Sequence, residues 1–173
     1  MTVSPSALLR KPAILRLNPR FQPCSVEPGD ELYPNGIFEF NITRLLAFIE
    51  ARTQQFPTEF VEIVDIPDYG GSSSLDETAI DAADLSRPIV LAEIAPGRYN
   101  VIDGNHRVAK ARREGLRGVS AHRLRCPEHV AFLTSTRAYE TYIEYWNSKL
   151  DDGLSRARRR RRYDQQSGAR DSS

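Results

Sequence analysis

The stretch VIDGNHRVAKARREG, residues 101–115, joins a predicted strand to a predicted helix. An apolar segment ends at Asp103, and the pattern from Asn105 to Glu114 is that of a helix. The helix is predicted to stop at Gly115, a residue suited to the left-handed position that follows many helices. Between the strand and the helix lie a glycine and several polar side chains. We call residues 103–107 the strand-to-helix joint.

The joint contains the residue types of an anion-binding site. The first backbone N–H groups of a helix lack intrahelical partners, and the peptide dipoles add partial positive charge there. Gly104 allows the backbone to approach a ligand closely, while Arg107 and His106 offer side-chain donors to phosphate oxygens. Asp103 would repel a phosphate, so we interpret it as a partner that orients His106 or Arg107, or as a contact for a metal ion or a hydroxyl group. The joint therefore predicts a phosphate site.

The same residues also fit a plain turn. In that interpretation Asp103-Gly104 forms the turn, Asn105 caps the helix, and His106 and Arg107 are solvated in its first turn. The pattern alone leaves both interpretations open.

The remaining predicted elements alternate between short strands and helices. A short extended segment is predicted at Ala13–Leu17. Strands are predicted at Val61–Ile66, in PIVLAEI and RYNVIDG on either side of the turn Ala95-Pro96-Gly97, and in VSAHRL. Helices are predicted from Asn41 or Thr43 to Phe56, around Glu77–Ala83, and between Glu128 and Asp151. This order predicts an α+β domain with a small mixed sheet flanked by helices. Aromatic residues at helical spacing between 139 and 146 are expected to pack in the core rather than to form a platform for bases.

Charge is unevenly distributed along the 173 residues, whose formal net charge is +1. Residues 156–173 carry seven arginines and two aspartates, a net charge of +5, and the rest of the chain carries −4. We expect this arginine-rich segment to be disordered in isolation and to contact the phosphate backbone of DNA without sequence specificity. A solubilising tail is the alternative. The arginines concerned are Arg156, Arg158, Arg159, Arg160, Arg161 and Arg162.

The chain lacks the features of a membrane or secreted protein. No apolar stretch reaches the roughly 18 residues of a membrane span, and the N-terminus lacks the apolar run of a secretory signal. Cys24 and Cys126 do not have metal-ligand spacing. We therefore expect a cytoplasmic protein with reduced thiols.

The motif DGNHRVAKAR resembles the G-x-H-R or G-x-x-R phosphate motif of the ParB/sulfiredoxin superfamily, which opens a helix after a strand. RREGLRGVSAHRL is similar to that superfamily's helix end and following strand, and PNGIFEFNITRLLAFI resembles its early acidic loop and first helix. The resemblance covers roughly residues 13–125. It implies one ParB/sulfiredoxin-like nucleotide-binding domain over residues 1–153, followed by a disordered arginine-rich tail over residues 154–173.

The resemblance also implies a ligand and a set of contacts. ATP or another nucleoside triphosphate, carried with Mg²⁺, is expected at Gly104, Asn105, His106 and Arg107. Asn105 stands where sulfiredoxins have their reactive cysteine, which argues against sulfiredoxin activity.

The chemistry implied is slow phosphate-ester hydrolysis, of ATP first and of DNA phosphodiesters second. His106 is expected to donate to the transferring or leaving oxygen, Asp103 to orient His106, and Glu39 to position water or metal. Asp103 and Glu39 are the expected Mg²⁺ contacts. The neighbouring acids Glu27, Asp30 and Glu31 are interpreted as solvated residues of the loop.

A branch of small, single-domain members of the superfamily, the oncogenic-suppression fertility-inhibition proteins, resembles this chain in size. These proteins are associated with ATP hydrolysis, with nuclease activity, and with inhibition of conjugative plasmid transfer through a type IV secretion system. The resemblance thus implies DNA and the conjugation or secretion machinery as partners. Two alternatives stay open: a small-molecule kinase that phosphorylates a free amino acid in the same phosphate cradle, and an interaction protein without catalysis.

Overall fold

The computed structural model describes residues 12–36, 38–67 and 75–168, with side chains described as far as Asp152. Four helices, a four-stranded mixed sheet and a separate two-stranded hairpin are found in this part of the chain, which confirms the α+β prediction. The strands are β1 (Leu32–Asn35), β2 (Phe38–Asn41), β3 (Thr58–Glu62), β4 (Ile89–Ala95), β5 (Arg98–Asp103) and β6 (Gly118–Leu124), and the α-helices are α1 (Ile42–Glu50), α2 (Glu77–Ala82), α3 (Asn105–Arg113) and α4 (Thr136–Gly168). Short 3₁₀ turns lie at Ile63–Asp65 and Val130–Phe132.

The larger sheet has the strand order β3-β6-β4-β5. β4 and β5 form the predicted antiparallel hairpin, and Gly97, with φ +71°, supplies the left-handed residue of its turn. β4 and β6 are parallel neighbours, so the chain must cross between them. The crossover runs through β5 and α3, and it therefore carries the strand-to-helix joint.

Both faces of the sheet are buried. Successive side chains of β4 point to opposite faces, and all but Glu93 of its seven residues are buried. Ile89 and Leu91 pack with α3, whereas Val90, Ala92 and Ile94 belong to the larger core that contains α1 and α4. The apolar run IVLAEIA is thus explained by a strand covered on both sides.

Helix boundaries follow local chemistry. The Asn41 side chain accepts from the Arg44 N–H, which confirms Asn41 as the cap of α1. At the end of α3, the Gly115 N–H bonds to the Arg112 carbonyl and the Leu116 N–H to the Ala111 carbonyl, with Gly115 at φ +67°. This is a Schellman motif, as the glycine predicted.

One predicted strand has the wrong bounds. The strand expected over Val61–Ile66 is Thr58–Glu62 instead, because its pairing with β6 ends where Glu62 meets Gly118. The segment Ala13–Leu17, predicted to be extended, does not pair with a strand. Its backbone bonds to α4 instead: Leu15 exchanges two hydrogen bonds of 2.9 Å with the Asn147 side chain, and the Ala13 carbonyl accepts from the Trp146 indole.

The aromatic residues of α4 pack in the core, as predicted. Tyr142, Tyr139 and Trp146 are buried, and the Phe21 ring stacks on Tyr139 with the centroids 3.9 Å apart. The Tyr142 hydroxyl donates to the Glu93 carbonyl, so the helix is fixed to β4 by a hydrogen bond as well as by apolar contact.

α4 continues to Gly168 and includes residues 156–168 of the arginine-rich segment. The side chains from residue 153 onward lie outside the described residues, so the tail boundary at 153 and its disorder stay predictions. Among the described residues, no helix is both long and apolar enough to cross a membrane.

His129 makes the stability of the fold sensitive to acid. The imidazole is fully buried beside the rings of Phe40 and Tyr142, and burial lowers the pKa of His129 from 6.5 to about 4. In the unfolded chain His129 therefore binds a proton below pH 6.5, whereas in the folded chain it does so only below about pH 4. Stability is fully present above pH 6.5 and falls by up to about 3 kcal/mol as the pH decreases through this window.

We predict that His129→Leu removes this part of the acid sensitivity. Urea unfolding of the wild type and of the variant should show a smaller loss of unfolding free energy between pH 7 and pH 4.5 in the variant. Carboxylates titrate in both proteins and cancel in the difference. Equal losses in the two proteins would contradict the assignment to His129.

Candidate functional site

Gly104 shapes the backbone of the joint. Asp103 is the last residue of β5, Gly104 has φ +96° and ψ 24°, and α3 begins at Asn105. The first helical hydrogen bond runs from the Val108 N–H to the Gly104 carbonyl at 3.0 Å, and no side chain caps the helix. The N–H groups of residues 105–107 thus have no hydrogen-bond acceptor in the described part of the chain. The predicted cap role of the Asn105 side chain is not found.

Arg107 is folded back over the start of its own helix. Its Nη2 donates to Asp103 Oδ2 at 2.6 Å, and the two side chains are only 12% and 13% exposed. The Arg107 Nε is buried without a hydrogen-bond partner in the described residues. Among the alternatives that the sequence leaves open for Asp103, the structure selects the pairing with Arg107, and it contains no bond from Asp103 to His106.

Packing at Gly104 explains why this position is glycine. A Cβ atom added there would lie 2.7 Å from Arg107 Nη2, 2.8 Å from Arg107 Nε and 2.6 Å from Ile89 Cγ2. The guanidinium therefore occupies the space that any side chain at residue 104 would need. The glycine is required by close packing as well as by its positive φ.

A cavity of about 420 Å³ opens at the joint, between the end of β5, the start of α3, α2 and β1. We call it the joint cavity. Its size lies within the range of about 300–1,000 Å³ typical of small-molecule sites. Its lining combines three acids with two arginines and a histidine, namely Glu31, Asp84, Arg87, Asp103, His106 and Arg107.

The acidic residues of the cavity differ from those predicted. Glu31 lines the joint cavity, whereas Glu39 is not among its lining residues. The Glu39 carboxylate instead accepts a hydrogen bond of 2.6 Å from the Thr134 hydroxyl. Glu31 is exposed, in agreement with its interpretation as a solvated residue, but the Ile42 N–H donates to its carbonyl and fixes its backbone beside the cavity.

Two further contributors were missed from the sequence. Tyr33 lines the joint cavity, and its hydroxyl accepts from the Asn105 amide at 3.0 Å, which orients that amide at the start of α3. The two residues are 72 positions apart, so no local pattern indicates the contact. Asp84 accepts from the N–H and the hydroxyl of Ser86, and these bonds lower the pKa of Asp84.

No group of three or more His, Cys, Asp or Glu side chains suited to a metal ion occurs among the described residues. Asp103 is held by Arg107 and Glu39 by Thr134, so the two expected Mg²⁺ contacts take part in separate interactions. The six arginines predicted to contact DNA have undescribed side chains. No protein family, curated protein or solved structure matches this chain.

We predict that Gly104→Ala destabilises the fold more than Gly97→Ala. Both glycines have positive φ, so both variants carry backbone strain of about 1 kcal/mol or more. Only at Gly104 would the new methyl group also meet Ile89 and Arg107, and such overpacking adds about 1–3 kcal/mol.

Urea unfolding of the two variants measures the difference directly. Gly97 is the matched control because a Cβ there meets nothing within 4 Å. An equal loss of stability in the two variants would mean that Arg107 does not occupy the position described.

Proposed function

We propose that the joint cavity binds the phosphate groups of a nucleoside triphosphate, carried with Mg²⁺, and that the bound nucleotide is slowly hydrolysed. One observation supports this most: a helix start with no capping side chain lies beneath a guanidinium that is held in place and largely buried. Free N–H groups at a helix start favour an anion, and a phosphate oxygen would supply their missing acceptors.

The buried Nε of Arg107 adds to this argument. A donor without a partner in a buried place costs about 1–3 kcal/mol, and most such groups in folded proteins are satisfied by protein or by solvent. A phosphate oxygen that enters between Gly104 and Arg107 would relieve that cost. Asp103 keeps the guanidinium over the helix start until the ligand arrives.

Acidic side chains in a phosphate site favour a bridging cation. Mg²⁺ is usually bound by one or two carboxylates together with phosphate oxygens. Because Glu39 is not among the lining residues, we assign this role to Glu31, which lies on the cavity wall. The ion would neutralise charge that develops on the phosphate oxygens.

His106 is the side chain best placed to take part in hydrolysis. It lines the joint cavity at the first turn of α3 and is partly buried, so it can donate to a transferring or leaving oxygen. Its ring has no hydrogen bond to another side chain in the described residues and is therefore available to a ligand.

The resemblance to the ParB/sulfiredoxin superfamily supports the same proposal, since the D-G-x-H-R motif does stand between a strand and a helix. It extends the proposal to DNA as a second phosphate ester that is bound or cleaved, and to inhibition of conjugative transfer. The segment of residues 156–162 would attract a nucleic-acid backbone through its six arginines.

We predict that Arg107→Ala lowers the affinity for ATP with Mg²⁺ by roughly 10- to 100-fold, the effect of losing charge-assisted hydrogen bonds to phosphate. Calorimetric titration measures the change. Arg117→Ala is the control, because Arg117 is exposed and pairs with Glu62 away from the cavity. Unchanged ATP affinity in Arg107→Ala would remove the site assignment.

A second variant guards against a folding defect in Arg107→Ala, which leaves the Asp103 carboxylate without its partner. Asp103→Asn removes a negative charge beside the phosphates, while the amide oxygen can still accept from Arg107 and hold it over the helix start, so this variant should raise ATP affinity.

We predict that His106→Gln separates binding from hydrolysis. Its ATP affinity should stay within about threefold of the wild type, and its rate of ATP turnover should fall about 100-fold or more. Phosphate release measured on the same samples tests this.

We predict that a chain ending after Gly153 binds duplex DNA at least about tenfold more weakly at low salt, with a shallower dependence on salt concentration. Fluorescence anisotropy at several salt concentrations measures both quantities. A variant with lysine at all six arginine positions keeps the charge and should keep the affinity. Undiminished binding by the shortened chain would exclude the arginine segment as the contact.

A further inference from the structure

A second cavity, of about 320 Å³, lies next to the joint cavity on the other side of Asn105. We call it the side cavity. The two cavities share Tyr33, Leu75 and Asn105 among their lining residues. The hydrogen bond from Asn105 to the Tyr33 hydroxyl lies at this shared boundary. The two cavities are therefore direct neighbours on either side of this hydrogen bond.

We propose that the side cavity binds the nucleobase of the nucleotide whose phosphates lie in the joint cavity. The proposal rests on the proposed function and adds to it the part of the ligand that gives selectivity. It assigns recognition of the base to residues of β1, β5 and α3.

The two cavities differ in charge, as the phosphates and the base of a nucleotide do. The joint cavity is lined by three acids, two arginines and a histidine. The described lining of the side cavity contains no acidic residue, and its one charged side chain, Arg112, donates to the Ile66 carbonyl at 2.7 Å. An uncharged ring therefore fits the side cavity better than a phosphate does.

The polar groups of the side cavity match the edge of a base. Asn35 at the end of β1 and Asn100 on β5 both line it, and the Asn100 amide donates to Asn35 Oδ1 at 3.3 Å. Each amide has a donor and an acceptor side by side, the pairing that lets Asn recognise adenine edges in nucleic acids. Asn105 adds a third amide at the boundary with the phosphates.

The remaining walls are apolar. Ile66, Val101, Val108 and Ala109 line the cavity around the amides, and such surfaces pack against the faces of a planar ring. A free amino acid, the substrate of the alternative kinase, fits less well. Its ammonium group needs an acidic partner, and the described lining of the side cavity has none.

The test compares nucleoside triphosphates with inorganic tripolyphosphate, which has the phosphates but no base. Full-length protein is titrated by calorimetry, in the presence of Mg²⁺, with ATP, CTP, GTP, UTP and tripolyphosphate. We expect at least one nucleotide to bind about tenfold or more tightly than tripolyphosphate, since burial and stacking of a base contribute about 1–3 kcal/mol.

Ala109→Phe fills the side cavity from α3 without touching the joint cavity. In this variant the affinity for tripolyphosphate should equal that of the wild type. The affinity for the nucleotide should fall to within about threefold of the affinity for tripolyphosphate. Ala47→Phe is the matched control, because Ala47 is exposed on α1 and lines neither cavity. Asn35→Ala provides a second variant that removes the polar edge without adding bulk and should also reduce the preference for the nucleotide.

The outcomes separate the two proposals. Equal affinity of the wild type for nucleotides and tripolyphosphate, or an Ala109→Phe variant that keeps its nucleotide preference, would overturn the role of the side cavity and leave the phosphate site intact. Failure of the wild type to bind tripolyphosphate and every nucleotide would overturn the proposed function, and this inference with it.

Discussion

The ion pair between Asp103 and Arg107 is the interaction on which the candidate site depends. It fixes a guanidinium above Gly104, at the start of α3, where the backbone has donors and no capping side chain. Two side chains that are nearly nine-tenths buried lose little freedom when a ligand binds, because their geometry is already set. The same pairing has an energetic cost, since Asp103 competes with any incoming anion. The candidate site is thus pre-organised, and its guanidinium is already paired with a carboxylate. If it binds anions, as we propose, we expect it to prefer ligands with several negative oxygens over a single weak anion.

The fold brings the walls of the site together from distant parts of the sequence. β5 and α3 supply the joint because the parallel pairing of β4 with β6 requires a crossover at this place. Strand β1 lies against β5 and contributes Tyr33 and Asn35, and Glu31 directly precedes β1. The donors that we propose for phosphate are therefore local in sequence. Asn35 and Tyr33, which bond to Asn100 and Asn105 at the cavities, come from more than sixty residues away.

This division explains what could be predicted from the sequence. The helix cap at Asn41, the hairpin turn at Gly97, the glycine at the joint and the end of α3 at Gly115 each follow from local backbone chemistry, and each is found. The choice of Glu31 over Glu39 as the acid at the cavity depends on strand register and hairpin placement, which have no short-range signal. Pairing of Asp103 with Arg107 rather than His106 depends on how far the arginine can fold back over Gly104, which only the packed structure determines. The extended segment at Ala13–Leu17 could be predicted, but not that its backbone bonds to Asn147, which lies 132 residues from Leu15.

The contact between that segment and α4 also provides an optical reporter. The sequence contains a single tryptophan, Trp146, and its indole donates to the Ala13 carbonyl from a buried position. The tryptophan fluorescence of this protein should therefore report whether the segment Ala13–Leu17 is bound to α4. A spectral shift on adding a ligand at the joint would signal communication through the sheet, since neither cavity beside Asn105 is lined by the fluorophore itself.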